Sequence, residues 1–200
     1  MKRLFIVRHA RSKGNDARVY EGWLGGELTR LGVKQARCLG KYFSNIPLDS
    51  VYCSDLNRAR QTLEEMRLGL KTRFCKELRE RNYGDFNGKD YSSLSRMPEH
   101  PDLFHDFYFN IRVKPSGGES ILDVRKRVLS FFKKLDKEKT ENALIITHHN
   151  PAMLLLDEVA GTPLSNWRVF VQSNACINSL VKEGKKWRIS RVNDTSHLHY

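Results

Sequence analysis

An arginine followed by a histidine at positions 8 and 9, a second arginine at 58 in "SDLNRARQT", and a histidine pair at 148 and 149 in "IITHHN" are the residues of this chain best suited to chemistry. Arginine forks match the oxygens of a phosphoryl group two at a time, and a neutral imidazole is a competent nucleophile near pH 7. Guanidiniums beside such an imidazole disfavour its cation and keep it neutral. Phosphoryl transfer through a phosphohistidine is therefore chemically reasonable. From the residue types alone two other readings stand beside it: histidines that are merely hydrogen-bonded at strand ends, and a histidine pair that shares a metal.

The elements that must carry these residues can be read from the pattern around them. Residues 2–7, 49–54 and 143–146 read as strands, and each runs directly into one of the chemical segments. Helices are expected between them: one over 28–43 with Thr29 as N-cap, one from Asn57 to about 70 capped by Ser54 or Asp55, and one from Ser120 with Asp123 completing a capping box. A last helix starts near Pro151 and stops at Gly161, and residues 175–190 read as a hairpin turning at Glu183-Gly184. A third strand is expected at 71–75. Strands alternating with helices predict an α/β fold, three-layer αβα with a mostly parallel central sheet. In such sheets ligands bind beyond the carboxyl ends of the strands, which is where Arg8-His9, Ser54–Arg58 and Thr147-His148 must lie. The segment 78–118 breaks the pattern with Gly, Asn, Pro and aromatic residues, and is expected to be a lid-like insertion of one or two helices that selects substrate.

Composition narrows the class. With 200 residues, 40% hydrophobic and 29% charged, a single soluble domain spanning 1–200 is expected rather than a disordered or membrane chain. The longest apolar stretches are strand-length, so no membrane span or signal-peptide core is predicted, and a cytoplasmic location follows as the default. Cys38, Cys53, Cys75 and Cys176 have neither metal-ligand nor disulfide spacing and read as buried or half-buried thiols. Thirty-five Lys and Arg against 23 Asp and Glu give a net charge of +12, which favours an anionic partner. No nucleic-acid-binding signature accompanies the basic clusters at 125–127 and 182–191, which read as solvated surface, so a small phosphorylated substrate is the expected partner. The oligomeric state is not legible.

Seven segments in order resemble the histidine phosphatase superfamily, in its phosphoglycerate mutase-like branch: "IVRHARSKGN", "YEGWLGGELTRLGVKQA", "SDLNRARQT", "LRERNYGDFNG", "GGES", "IITHH" and "NACINSL…VNDTSHL". The resemblance implies that His9 is the nucleophile that becomes phosphorylated, that Arg8, Arg58 and His148 hold the phosphoryl oxygens, and that Glu80 protonates the leaving oxygen and then activates water. Trp23, an aromatic residue that could line a pocket, is counted among the substrate-binding candidates. The resemblance places Asn15 at the phosphate or substrate, while Glu119 reads as a carboxylate at a helix N-terminus. It implies no metal and no cofactor. His149 stands where the family commonly has glycine, so its bulk is expected to restrict substrate choice. The activity implied is phosphomonoester hydrolysis, with mutase-type transfer or a non-catalytic phosphate-binding adaptor as alternatives. Of the aromatic residues, Tyr20, Tyr83, Phe104, Phe107, Tyr108 and Phe109 are candidates for pocket lining, though burial in the core is expected for most of them.

Overall fold

The computed structural model describes residues 3–93, 110–166 and 168–199. Six strands, β1 (Arg3–Arg8), β2 (Ser50–Cys53), β3 (Thr72–Phe74), β4 (Asn142–Thr147), β5 (Ile177–Glu183) and β6 (Lys186–Asp194), form one sheet in the order β3-β2-β4-β1-β5-β6. The first four are mutually parallel, and β5–β6 is an antiparallel hairpin closing one edge through Gly184 in the left-handed region (φ 60°). Five α-helices are present among the described residues: α1 (Lys13–Asp16), α2 (Arg30–Phe43), α3 (Asn57–Met66), α4 (Ile121–Leu135) and α5 (His149–Ala160).

The apolar run that opens the chain is buried on both faces because the sheet is covered on both. Leu4 and Ile6 pack in the core that contains α4 and α5, whereas Phe5 and Val7 pack in the core that contains α2 and α3. Burial of such side chains contributes about 1.5–3 kcal/mol each, and a slip of one residue would exchange the two sets between the layers they pack in. The α2–α3 layer depends on a close backbone approach at Gly40, where a Cβ would fall 2.2 Å from the Met66 carbonyl oxygen.

Most helix ends follow their predicted chemistry. Thr29 accepts from the Gly32 N–H, Ser120 and Asp123 form the capping box of α4, and Gly161 ends α5 with φ 69°. The start of α3 differs: its N-cap is Leu56, without a side-chain cap, and Ser54 Oγ instead accepts the Leu56 N–H at 3.3 Å while meeting a histidine across the sheet edge. Within 78–118 the described residues hold only single-turn 3-10 segments at Gly84–Phe86 and Tyr91–Ser93. Phe104, Phe107, Tyr108 and Phe109, with the helices expected there, lie outside the described residues.

Candidate active site

Strand register brings the chemical segments together. Arg8 pairs with Thr147 and Cys53 with Ile146, so the residues that follow, His9, Ser54 and His148, emerge side by side at one edge of the sheet. Backbone bonds continue past the strand ends, from His9 N–H to the Thr147 carbonyl (2.8 Å) and from Ser54 N–H to the Ile146 carbonyl (2.9 Å). Above this edge lies a cleft of about 280 Å³ lined by Arg8, His9, Asn15, Arg58, Glu80 and His149, with Tyr20, Tyr83, Tyr91 and Arg168 forming other parts of its wall.

His9 and His148 are almost completely buried, their ring centroids 5.1 Å apart. The His9 Nδ1–H donates to the carbonyl of Ala10 at 2.8 Å, which leaves Nε2 with its lone pair. Burial first, then the guanidiniums of Arg58 and Arg8, hold His9 well below the usual imidazole pKa, so the lone pair is available at neutral pH. His148 is likewise held down by burial and Arg58. Ser54 Oγ lies 2.8 Å from His148 Nε2, and because that nitrogen is the acceptor its hydroxyl proton has among the described residues, we assign the proton to that bond. On that assignment the His148 proton sits on Nδ1, a buried atom with no hydrogen-bond partner among the described residues.

Arg58 is 1% exposed and is held in place by backbone, Nη2 donating to the Gly22 carbonyl (2.8 Å) and Nη1 to that of Leu24 (3.2 Å). Buried Glu21 lies 3.7 Å from its Nε and accepts from Ser12 Oγ at 2.6 Å. Arg8 Nη1 donates to the Gln172 carbonyl at 2.6 Å. Asn15 sits in α1, a single turn closed by its capping box with Ser12, and its Oδ1 accepts from Asn174 Nδ2 at 2.8 Å.

Glu80 lines the same cleft. Its Oε1 accepts from the backbone N–H of Arg81 (2.8 Å) and Asn150 (3.3 Å) and from Asn150 Nδ2 (2.8 Å), whereas among the described residues Oε2 accepts only the His149 N–H at 3.1 Å. The carboxylate thus caps the N-terminus of α5, where unpaired N–H groups and the helix dipole favour an anion. The His149 imidazole lies against the cleft wall; burial and the neighbouring Arg8 push it down to about 4, and it is neutral at physiological pH. Trp23 is not among the cleft-lining residues, contrary to its expected place. Its Nε1–H donates to the Glu80 carbonyl (2.8 Å), and its ring lies 4.8 Å from the Arg79 guanidinium carbon. Glu119 is likewise outside the cleft, bound to Arg127 and to the Asn82 N–H. Among the described residues no three His, Cys, Asp or Glu side chains gather as a metal site.

The profile of the histidine phosphatase superfamily, branch 1, matches residues 4–195. The chain belongs to that superfamily. As a histidine phosphatase-superfamily member it is 29% identical over 202 residues to phosphoserine phosphatase 1 of Hydrogenobacter thermophilus, covering 99% of this chain and 95% of the relative. It is 32% identical over 167 residues to a 2,3-bisphosphoglycerate-dependent phosphoglycerate mutase of Methylorubrum populi, covering 78% of each. The solved structure of YhfR from Bacillus stearothermophilus superposes with a TM-score of 0.90 at 28% identity, covering 98% of this chain and 99% of that one. Sequence reasoning missed Ser54 as a histidine partner, Asn150, Glu21 and Arg127. Of these only Asn150 left a usable signal, by following the histidine pair at a helix start.

Proposed function

We propose that this chain hydrolyses phosphomonoesters of small metabolites through a phosphohistidine on His9. The observation that carries the reading is a buried, neutral His9 whose Nε2 lone pair lies in a cleft lined by two guanidiniums and the Glu80 carboxylate. In the first step His9 Nε2 attacks phosphorus and the ester P–O bond breaks; the leaving oxygen takes a proton from Glu80. Oε2, with a single hydrogen-bond donor, is the oxygen with room to carry that proton. Arg8, Arg58 and the Nδ1–H of His148 stabilise charge on the phosphoryl oxygens. In the second step Glu80 takes a proton from water as the water attacks phosphorus, the N–P bond breaks, and inorganic phosphate leaves.

Asn15, at the cleft wall, would contact the phosphate or the ester. Beyond the phosphoryl clamp, Arg168 and the neutral His149 line a cleft sized for a leaving group of few atoms, and the Arg168 charge favours one that bears an acid group. The relative named phosphoserine phosphatase, matched over nearly its whole length, supports hydrolysis over mutase transfer. Four free cysteines, two of them buried, are consistent with a reducing compartment such as the cytoplasm. The direct test is release of inorganic phosphate from an aryl phosphate. Wild type should turn over and trap an acid-labile phosphoenzyme, and His9→Ala should do neither; phosphate release that survives His9→Ala overturns the mechanism.

A further inference from the structure

The segment that carries Glu80 has little secondary structure of its own. After the single 3-10 turn at Lys76–Leu78 the chain enters no helix or strand until Gly84, yet it must hold a carboxylate in the cleft that His9 also lines. Trp23 Nε1–H and Thr147 Oγ1–H each donate to one carbonyl of it, those of Glu80 (2.8 Å) and Leu78 (2.7 Å), but three of the bonds that fasten its backbone come from one side chain outside the cleft. Arg127, on α4, donates through Nη1 to the carbonyls of Glu77 (2.7 Å) and Arg79 (2.6 Å), and through Nη2 to that of Glu80 (2.9 Å). Its Nε and Nη2 also fork onto Glu119, at 2.8 and 2.9 Å, and Glu119 Oε2 in turn accepts the Asn82 N–H at 2.9 Å. A guanidinium has five N–H donors, and here all five are used, three of them on carbonyls of 77–80. Both partners of the ion pair are about 15% exposed, so the bonds compete little with water.

We propose that Arg127, braced by Glu119, is a positioning residue that fixes the Glu80 carboxyl for proton transfer; the inference rests on Glu80 being the proton donor. Lysine cannot replace it, because one ammonium has three donors and no planar fork to span carbonyls and carboxylate together.

Leaving-group dependence separates this role from a merely structural one. An alkyl phosphate such as phosphoserine needs a proton on its leaving oxygen, whereas p-nitrophenyl phosphate scarcely does. Arg127→Lys should lower kcat/KM for the alkyl ester about 100-fold, the loss that about 1 Å of misplacement brings. It should lower kcat/KM for the aryl ester less than tenfold and leave inhibition by inorganic phosphate within twofold. Glu80→Gln is the reference. If Glu80→Gln discriminates between the two esters and Arg127→Lys does not, whether through equal losses or none, the positioning role is wrong. If Glu80→Gln itself shows no discrimination, the reading of Glu80 falls instead, and the positioning role with it. Should Arg127→Lys fail to fold, Glu119→Gln, which keeps the side chain's shape, carries the same comparison with a smaller selective loss of about tenfold.

Discussion

Ser54→Ala tests the internal logic of the site most sharply, because it removes one hydroxyl that touches neither substrate nor solvent. Ser54 is fully buried, and its proton is directed to His148 Nε2 over 2.8 Å, which leaves the ring's own proton on Nδ1. Without the hydroxyl the ring has two options. It can keep Nδ1–H and leave a buried Nε2 unpaired, which costs stability by about 1–3 kcal/mol. Alternatively it can move the proton to Nε2, and Nδ1 then ceases to be a donor to the phosphoryl oxygens. A hydrogen bond to a charged oxygen contributes about 1.5–3 kcal/mol. At 1.36 kcal/mol per decade, its loss from the transition state lowers kcat/KM roughly ten- to a hundredfold. Steady-state kinetics on an alkyl phosphate, thermal unfolding and the nitrogen chemical shifts of His148 read the two options separately. A variant with wild-type kcat/KM, wild-type Tm and an unchanged Nδ1–H tautomer would refute the account, since neither cost would have appeared.

Two further outcomes follow from neighbouring features. His149 occupies cleft wall between Arg8 and Arg168, so His149→Gly should shift relative kcat/KM toward bulkier phosphate esters by about tenfold or more across a substrate panel, and a ratio unchanged within twofold would exclude steric restriction. Asp157 on α5 has both carboxyl oxygens buried without a hydrogen-bond partner among the described residues, and burial raises its pKa to about 7, so the fold holds a proton there that the unfolded chain releases near pH 4. The folded state therefore binds more protons between those values, and this group's contribution to stability falls as pH rises from about 4 to 7. In urea titrations Asp157→Asn should gain on wild type as pH increases from 5 to 8, and parallel pH profiles would show that Asp157 is ionised or paired in the fold.

β1, β2 and β4 were legible because each carries a run of buried residues covered on both faces, and their register alone carries His9, Ser54 and His148 to one edge. Arg8, Arg58 and His148 could be placed from there. The first arginine and the second histidine end or follow strands, and the second arginine lies in the first turn of the helix that follows one. Glu80 could not be placed in this way, and only the family resemblance singled it out. Its segment has no periodicity, and its position depends on contacts 47 to 70 residues away in sequence. The partners in those contacts explain the silence. Arg127 binds backbone carbonyls, which every sequence supplies, and the Glu80 carboxylate binds mainly backbone N–H groups at a helix start. Trp23 adds to the same silence, since its indole N–H binds the Glu80 carbonyl, a backbone partner that no sequence pattern announces. Side chains that act on substrate are recognisable by type, whereas side chains that hold other residues' backbone leave only one half of each bond in the sequence. The proton-transfer arm of this site is therefore the part where a structure adds most, and where substitution of a residue outside the cleft should be felt in the leaving-group dependence of the reaction.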